Sequence, residues 1–351
     1  MTAATLGPIV LVALACGLDR LLGDPRRCLH PVVVMGWLIG HWRRLVEAWA
    51  GDQPWRLRLG GLAITVLLVG GSGLVGWGVE RLAIHAAFSG DHGGGILQLL
   101  LRWAAALPLP IALASALAGR SLEQAVRAVL AAVAAGDLPL ARQRLSWIVG
   151  RDTENLDGPE ILRAAAETAS ENGVDGLFAP LFWMLVGAGL WYSGALAGPG
   201  PLALAWGFKA ASTLDSMLGY RRGRLAWLGT AGARLDDLLT WLPCRLVALS
   251  LPLAAARPER SLAWFWEALK QGASDPSPNA GVSQAAYALA AGVRLGGTNR
   301  YADGLKTKPL LAPLNPAADG EAVQRMLRLS TRLELIWLSA SGLVLLLLAM
   351  V

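Results

Sequence analysis

Runs of residues without any charge alternate along this chain with segments rich in charged and turn-forming residues. Four of these runs are long and apolar: Leu59–Val79, Trp103–Gly119, Gly176–Phe208 and Leu335–Val351. A helix that crosses a bilayer needs about 20 mainly apolar residues. The pattern therefore predicts an all-α, polytopic integral membrane protein. The alternative is that these runs are the buried helices of a large soluble enzyme.

Composition argues against the soluble alternative. The chain has 351 residues, of which 54% are hydrophobic and 16% are charged, whereas a soluble domain carries about 25% charged residues. The isoelectric point of about 9.6 could indicate nucleic-acid binding. Lys and Arg are, however, concentrated in the loops between apolar runs, as the positive-inside rule expects of cytoplasmic loops. We therefore expect a lipid bilayer as a partner and no nucleic acid.

The distribution of basic residues orders the apolar runs across the membrane. The first run has no charge before Asp19, so we interpret it as an uncleaved span rather than a signal peptide. The segment Glu80–Gly95 is placed outside, and the Arg-rich segments are placed in the cytoplasm. This requires Gly176–Phe208 to form a helical hairpin and 238–256 to be re-entrant or interfacial. The predicted spans, within one membrane-embedded domain covering 1–351, are 3–20, 59–79, 97–119, 177–192, 195–210 and 335–351.

A polar helical block, 120–175, follows the third predicted span. Ser121 with Gln124, and Asp157 with Glu160, predict capping boxes that begin two of its helices. These amphipathic helices and the charged loops are predicted to face the cytoplasm.

Three carboxylates share one face of the last helix in this block. Glu160, Glu167 and Glu171 are spaced by seven and four residues, and carboxylates four residues apart destabilise a helix. A bound Mg²⁺, which prefers oxygen ligands, would relieve the repulsion. A solvated acidic face is the alternative, but the alanines on the rest of the helix favour a packed one.

Further charged residues stand where apolar runs end. Charge at a membrane boundary is costly and marks a functional candidate, so Lys209 and Asp215 are candidates, although Lys209 could equally extend its ammonium to the interface. Asp236 and Asp237 follow Arg234 at the next membrane entry. The two adjacent aspartates could hold a metal or pair with nearby arginines.

Two turn-rich segments flank a predicted helix near the end of the chain. Asp275–Gly281 opens that helix, and the glycine-rich loop Arg294–Tyr301 follows it. Backbone N–H groups beside arginines suit an anion such as phosphate. The sequence Gly71–Gly76 matches GxGxxG, but it lies inside an apolar run, where small residues allow helices to approach closely.

In combination these segments resemble the CobD/CbiB family, the membrane-bound adenosylcobinamide-phosphate synthases of cobalamin biosynthesis. The matching motifs occur in the order of the family and cover residues 19–301. They are Asp19–Pro25 with His30-Pro31, Gly150–Thr153, Glu167–Asp175, Ala179–Trp183, Lys209-Ala210, Thr213–Met217, Ala233–Asp237, Ser277–Gly281 and Gly292–Gly297. Val282 and Thr298-Asn299 depart from the family pattern, and neither departure replaces a charged candidate.

The resemblance implies an ATP-dependent ligase of the bacterial inner membrane, with its active site facing the cytoplasm. A carboxylate of adenosylcobyric acid would be joined to the amine of aminopropanol phosphate, or a related amino alcohol phosphate, to give adenosylcobinamide phosphate. ATP and Mg²⁺ would be required. A corrinoid transporter or a non-catalytic membrane sensor is the alternative class, and association with a second copy or with other enzymes of the corrinoid pathway is left open.

From the reaction that the resemblance implies, we hypothesise roles for the charged candidates. Catalytic roles fall to Glu167, Glu171, Asp175 and Asp236, and metal ligation to Glu167, Glu171, Asp236 and Asp237. Substrate or phosphate binding is assigned to Arg151, Asp152, Thr153, Asn172, Lys209, Asp215, Arg234, Asn279, Gly281, Arg294, Asp24 and His30.

Overall fold

The computed structural model describes residues 7–23, 30–88, 107–301 and 304–348, and most of these residues are helical. This confirms the predicted fold class. The helices are α1 (Gly7–Leu22), α2 (Pro31–Ala50), α3 (Pro54–Phe88), α4 (Pro108–Ala114), α5 (Gly119–Ala134), α6 (Leu138–Ser146), α7 (Gly158–Gly173), α8 (Ala179–Tyr192), α9 (Pro201–Leu218), α10 (Leu225–Leu228), α11 (Thr230–Ala254), α12 (Ser261–Gly272), α13 (Ala280–Ala291) and α14 (Gly320–Leu348). Two strands, β1 (Leu295–Tyr301) and β2 (Gly304–Leu311), lie between α13 and α14.

Within the described ranges, 4 helical segments are long and apolar enough to cross a membrane by length and composition. They are Pro54–His85, Gly158–Tyr192, Thr230–Ala254 and Gly320–Leu348. The second is α7 and α8 joined without a break through a π-helical turn, Val174–Phe178. The acidic helix and the apolar helix predicted separately are therefore one helix.

Several predicted boundaries differ from the observed ones. The predicted span 97–119 lies only partly within the described residues, which resume at 107. Its described part is not one helix, because α4 ends at Ala114 and α5 begins at Gly119. In the hairpin, the second helix begins at Pro201 rather than at residue 195. The segment 238–256 lies almost wholly in the continuous helix α11, and its re-entrant or interfacial placement stays a prediction.

The caps of the polar block follow the sequence in one place and not in another. The Asp157 side chain accepts from the Glu160 N–H, and Glu160 accepts from the Asp157 N–H, so this capping box is confirmed. The prediction of a capping box at Ser121 is wrong, because α5 begins at Gly119 and Ser121 already lies in its first turn.

The chain divides into two compact units. Unit 1 comprises Met1–Ala118, Ala179–Leu239 and Leu338–Val351, and unit 2 comprises Gly119–Phe178 and Thr240–Trp337. The single membrane-embedded domain over 1–351 stays a prediction.

Unit 1 is built on the packing of α3 against α9. Gly76 of α3 is buried, and a Cβ placed there would lie 2.9 Å from Ala203 Cα and 3.0 Å from Leu202 O. Such a distance leaves no room for any side chain. The GxGxxG match in α3 is therefore a site of close helix packing, as the sequence indicates. A cluster that includes Met35, Ile64 and Leu214 extends this core toward α2.

A buried carboxylate fixes where α9 begins. Glu80 of α3 is fully buried, and it accepts from Gly200 N at 2.9 Å, Leu202 N at 2.6 Å and Ala203 N at 3.2 Å. The first N–H groups of a helix have no partner within the helix, and Pro201 has no N–H. Glu80, which the sequence places in a short outer segment, thus caps the whole first turn of α9.

In unit 2, most residues of α7 and α13 are buried, and the two strands form an antiparallel hairpin that contacts both helices. Gly297 pairs with Lys308 in this hairpin, and a bulge lies between Leu295 and Gly297. Gly296 has a φ of +84°, and a Cβ there would overlap Pro309 O. The strands replace the glycine-rich loop that the sequence predicts over Arg294–Tyr301.

Removing the Glu80 carboxylate should destabilise unit 1. We expect Glu80→Ala to leave three buried N–H groups without acceptors and to lower the free energy of unfolding by about 3 kcal/mol or more. Denaturant titration in detergent measures the change. Glu47→Ala, which removes a carboxylate from the partly exposed Arg43 pair, is the control and should cost no more than about 1 kcal/mol. Equal losses in the two variants would contradict the capping role.

The α3–α9 contact should be sensitive to any increase in side-chain volume at residue 76. Gly76→Ala is expected to lower stability by about 1–3 kcal/mol, because its Cβ meets backbone atoms that cannot rotate away. Gly78→Ala, two residues along the same helix with nothing within 4 Å of its Cβ, should be neutral or slightly stabilising. Thermal unfolding of both variants in the same detergent compares them, and a neutral Gly76→Ala would refute the packing assignment.

Candidate functional site

The Glu167 carboxylate of α7 is buried in unit 2 and accepts three hydrogen bonds. Arg151 Nη2 donates to Oε2 at 2.6 Å, and Arg163 Nη1 donates to Oε1 at 3.1 Å. The Gly296 N–H donates to Oε1 at 3.0 Å. The side chains of Arg151 and Glu167 are each only 6% exposed. A buried ion pair is tolerated when further hydrogen bonds satisfy its atoms, and here they do.

Asn299 completes this cluster from β1. Its Oδ1 accepts from Arg163 Nη1 at 2.9 Å and from Arg151 Nη1. Arg163 also donates to Gly296 O at 2.9 Å and to Thr298 O at 3.1 Å. Two guanidinium groups thus share one carboxylate and one amide oxygen, which leaves an excess of one positive charge held in a fixed position.

One turn further along α7, Glu171 contacts α13. Its Oε2 accepts from Gln284 Nε2 at 2.7 Å. Gln284 is 3% exposed, and its Oε1 is buried with no hydrogen-bond partner among the described residues. Lys308 of β2 pairs with Asp275 at 2.6 Å.

Burial raises the pKa of the Tyr287 hydroxyl on α13, which is hydrogen-bonded to Ser330.

The loop before α13 is held by side-chain contacts. Arg245 donates to Asn279 Oδ1 at 2.5 Å and to Pro278 O at 2.8 Å. The N–H groups of Asn279 and Ala280 donate to Ser277 Oγ at 3.3 and 3.4 Å. These N–H groups, predicted to face an anion, are occupied within the loop. The phosphate-binding roles of Asn279 and Gly281 stay predictions.

A second cluster lies in unit 1, where α9 and α11 carry charged residues. Asp236 is 8% exposed, and its Oδ1 has no hydrogen-bond partner in the part of the chain described. Asp215, Asp237 and Lys209 lie within electrostatic range of its carboxylate. Burial, and then the negative charge of Asp237, raises the pKa of the Asp215 carboxyl. Arg234 is exposed on another face of α11.

The carboxylates of this cluster fit Mg²⁺ in chemistry. The unsatisfied Asp236 Oδ1 is a hard oxygen donor beside Asp237, and Mg²⁺ is commonly held by one or two carboxylates together with substrate phosphates and water. Across the described residues, no three His, Cys, Asp or Glu side chains are grouped so as to hold a metal unaided. Metal ligation by Glu167, Glu171, Asp236 and Asp237 stays a prediction.

Other predicted site residues have local roles. Asp152 accepts from the Glu154 N–H, and Thr153 donates to Arg142 O, so both shape the loop before α7. Asp175 lies in the π-helical turn, a feature that is frequent at functional sites.

Three other predicted residues have positions that the structure gives. Asn172 and the Arg294 side chain are exposed. His30 occupies the N-cap position of α2. Asp24 lies outside the described residues.

The sequence did not identify four residues of these contacts as site residues: Arg163, Gln284, Asn299 and Lys308. Arg163 could have been found, because it stands four residues before Glu167 on a predicted helix, and such pairs interact. Gln284 and Lys308 gave no signal, since their partners are 113 and 33 residues away in the chain.

The fold and these contacts define a helical membrane protein with buried carboxylate clusters on the helices that carry its apolar runs. The family described as CobD/Cbib protein matches residues 12–330. The chain therefore belongs to the CobD/CbiB family.

Three curated relatives illustrate the match. Cobalamin biosynthesis protein CobD of Synechocystis sp. is 41% identical over 308 residues, covering 87% of this chain and 83% of the relative. CobD of Geobacter metallireducens is 39% identical, covering 88% of each chain. Cobalamin biosynthesis protein CbiB of Salmonella typhimurium is 37% identical, covering 92% of each chain. No solved structure gives a significant match.

Neutralising Glu167 should destabilise unit 2. Glu167→Gln would leave two largely buried guanidinium groups without their counter-charge, and breaking a buried pair costs about 3–5 kcal/mol. Glu123→Gln removes the carboxylate from the more exposed pair with Arg127 on α5, which should cost about 0.5 kcal/mol or less. Unfolding of both variants in detergent tests the difference. A Glu167→Gln protein as stable as the control would show that the pair is not structural.

Proposed function

We propose that this protein acts in cobalamin biosynthesis as an adenosylcobinamide-phosphate synthase. In this reaction the amine of aminopropanol phosphate, or of a related amino alcohol phosphate, forms an amide with a carboxylate of adenosylcobyric acid, and ATP drives the ligation. We place the reaction at the cytoplasmic face of the bacterial inner membrane. Membership of the CobD/CbiB family and the names of the relatives, cobalamin biosynthesis proteins, support the pathway.

The chemical proposal rests on the two guanidinium groups, of Arg151 and Arg163, that donate hydrogen bonds to the Glu167 carboxylate. A carboxylate is a poor acylating group, so its oxygen must first accept a phosphoryl group from ATP, which releases ADP. The amine then attacks the acyl carbon, loses a proton and displaces phosphate. Anionic oxygens develop in both steps, and fixed cations stabilise such charge most when they need no reorganisation. Arg151 and Arg163 are fixed in this way by Glu167 and Asn299.

Two further roles fall to carboxylates. An ammonium group is not nucleophilic until it loses a proton, so the reaction needs a general base. Glu171 is the proposed base, because it lies four residues after Glu167 on α7 and Gln284 Nε2 donates to its Oε2. Asp236 and Asp237 are proposed to hold Mg²⁺, which supplies shielding of phosphate charge when bound.

A reconstituted assay tests the proposal directly. Purified protein in lipid nanodiscs is incubated with Mg²⁺, ATP, adenosylcobyric acid and aminopropanol phosphate, and products are followed by mass spectrometry. Release of ADP that requires both other substrates, with adenosylcobinamide phosphate formed, supports the ligase. No product under these conditions, together with corrinoid flux into vesicles, would favour the transporter.

Two variants test the carboxylate roles within that assay. We expect Glu171→Gln and Asp236→Asn each to lower turnover by about 100-fold or more, because a general base contributes about 10²–10⁴-fold and loss of a metal ligand removes charge shielding. Glu259→Gln, at an exposed carboxylate before α12, should keep wild-type turnover. Near-normal activity in Glu171→Gln or Asp236→Asn would remove that residue from the mechanism.

A further inference from the structure

The exposed face of α14 changes from polar to apolar along the helix. Its first part exposes charged and polar side chains, at Glu321, Gln324, Arg328 and Arg332. Its later part exposes apolar or small ones, at Leu335, Ser339, Ala340, Leu343, Val344, Leu347 and Leu348. This helix is long and apolar enough to span a bilayer, and such a change marks the depth at which a helix enters the hydrocarbon. The boundary lies between Arg332 and Leu335.

The C-terminal end of α11 reaches the same depth. Arg332 Nη1 donates to Ala254 O at 3.5 Å. Further along α14 and one turn back along α11, Trp337 Nε1 donates to Ser250 Oγ at 3.0 Å. The two helices are therefore antiparallel here, and Ala254 stands level with the boundary. Because only residues 255–260 separate α11 from α12, the start of α12 lies close to this level.

Helix α12 has three different sides. Ala268 and Gly272 are buried toward α13, where a Cβ on Gly272 would lie 2.5 Å from Val282 N. At 3.6 residues per turn, four apolar side chains share an adjacent arc of about 100°. They are Leu262, Phe265, Trp266 and Leu269. Glu267 and the exposed Lys270 lie beyond this arc, on the remaining side.

Two residues of the apolar arc are strongly exposed. Leu262 is 68% exposed and Trp266 is 65% exposed, and Phe265 packs edge-on against Trp266 with ring centroids 5.3 Å apart. A single exposed leucine is ordinary. Leu and Trp together on one arc, beside a membrane boundary, are typical of a helix that lies in the plane of the lipid headgroups.

Basic residues stand at the start of this helix. Arg257 and Arg260 are exposed in the turn that joins α11 to α12, and Glu259 lies between them, 4.0 Å from Arg257. Exposed Arg side chains at the level of the headgroups are attracted to anionic lipids. The turn and the apolar arc of α12 therefore match the two parts of a bilayer surface, its phosphates and its upper acyl chains.

We propose that α12 is an interfacial helix whose partner is the surface of the lipid bilayer. Leu262 and Trp266 enter the boundary between headgroups and acyl chains, and Arg257 and Arg260 contact lipid phosphates. This inference does not depend on the proposed reaction. Since α12 packs on α13 through Gly272, contact with the bilayer also sets the depth of the loop Asp275–Gly281, which precedes α13.

Spin-label accessibility tests the position of α12 in the full chain. Nitroxides are attached at Leu262→Cys, Trp266→Cys and Lys270→Cys, in nanodiscs of phosphatidylethanolamine and phosphatidylglycerol. Cys28 is replaced by Ser, while the buried Cys16 and Cys244 are kept. Collisions are measured with oxygen, which concentrates in lipid, and with a nickel chelate, which stays in water.

The ratio of oxygen to nickel collisions should be at least about threefold higher at residues 262 and 266 than at residue 270, because only the apolar arc enters the lipid. Leu343→Cys and Arg328→Cys, on the apolar and polar parts of the exposed face of α14, are the lipid and water references. A ratio at 262 and 266 equal to that at 328 would overturn the proposal. Few collisions with either reagent would place this arc against a second protein chain and would also overturn it.

Lipid-borne quenchers distinguish an interfacial helix from one buried in the hydrocarbon. A bimane fluorophore at Leu262→Cys or Trp266→Cys should be quenched more strongly by lipid carrying a nitroxide at acyl carbon 5 than by lipid carrying it at carbon 12, since an interfacial helix lies near the headgroups. Stronger quenching from carbon 12 would overturn the interfacial position. If one of the two variants fails to fold, the other decides both experiments.

Discussion

A carboxylate buried among helices must find its hydrogen-bond donors inside the protein, because water is not there to supply them. Two carboxylates meet this constraint in the same way. In unit 1, Glu80 takes three backbone N–H groups and thereby defines the first turn of α9. In unit 2, Glu167 takes two arginines and the Gly296 N–H, which ties α7 to β1. The position of the neighbouring element depends on these donors in both cases.

The buried polar groups differ in whether their hydrogen-bonding atoms have partners. Glu167 and its two arginines have their partners and form a rigid cationic support, a common way to hold charge for a reaction. Gln284 Oε1 and Asp236 Oδ1 are buried and lack partners within the described residues. Native proteins rarely leave such atoms unused. A cation at Asp236 Oδ1 would supply the partner that the described residues do not, and this is the physical criterion behind the metal proposal.

The sequence predicted what depends on neighbouring residues. Apolar runs gave the membrane-protein class, and the Asp157–Glu160 pair gave the start of α7 correctly, since a cap is local chemistry. The sequence did not predict contacts between residues that are far apart in the chain. Glu80 looked like the first polar residue of a loop because its partners stand 120 residues later. The hairpin over 295–311 was missed because glycines in β1, which weaken a strand signal, are required there by the bulge and the close approach of Pro309. The candidate carboxylates were found, whereas most of the residues that hold them were not.

The Glu80 contact also bears on how the protein is made. Helix α3 leaves the ribosome well before Gly200, Leu202 and Ala203 have been synthesised, so it reaches the membrane with a carboxylate whose donors do not yet exist. An isolated acidic side chain in an apolar segment opposes insertion. Early intermediates of biogenesis therefore contain a Glu80 carboxylate without its hydrogen-bond donors. Synthesis of α9 supplies those donors and so stabilises the protein at a late stage. A chain truncated before Gly200 would retain α3 with Glu80 in this incomplete state, because the three N–H groups that satisfy its carboxylate would be missing.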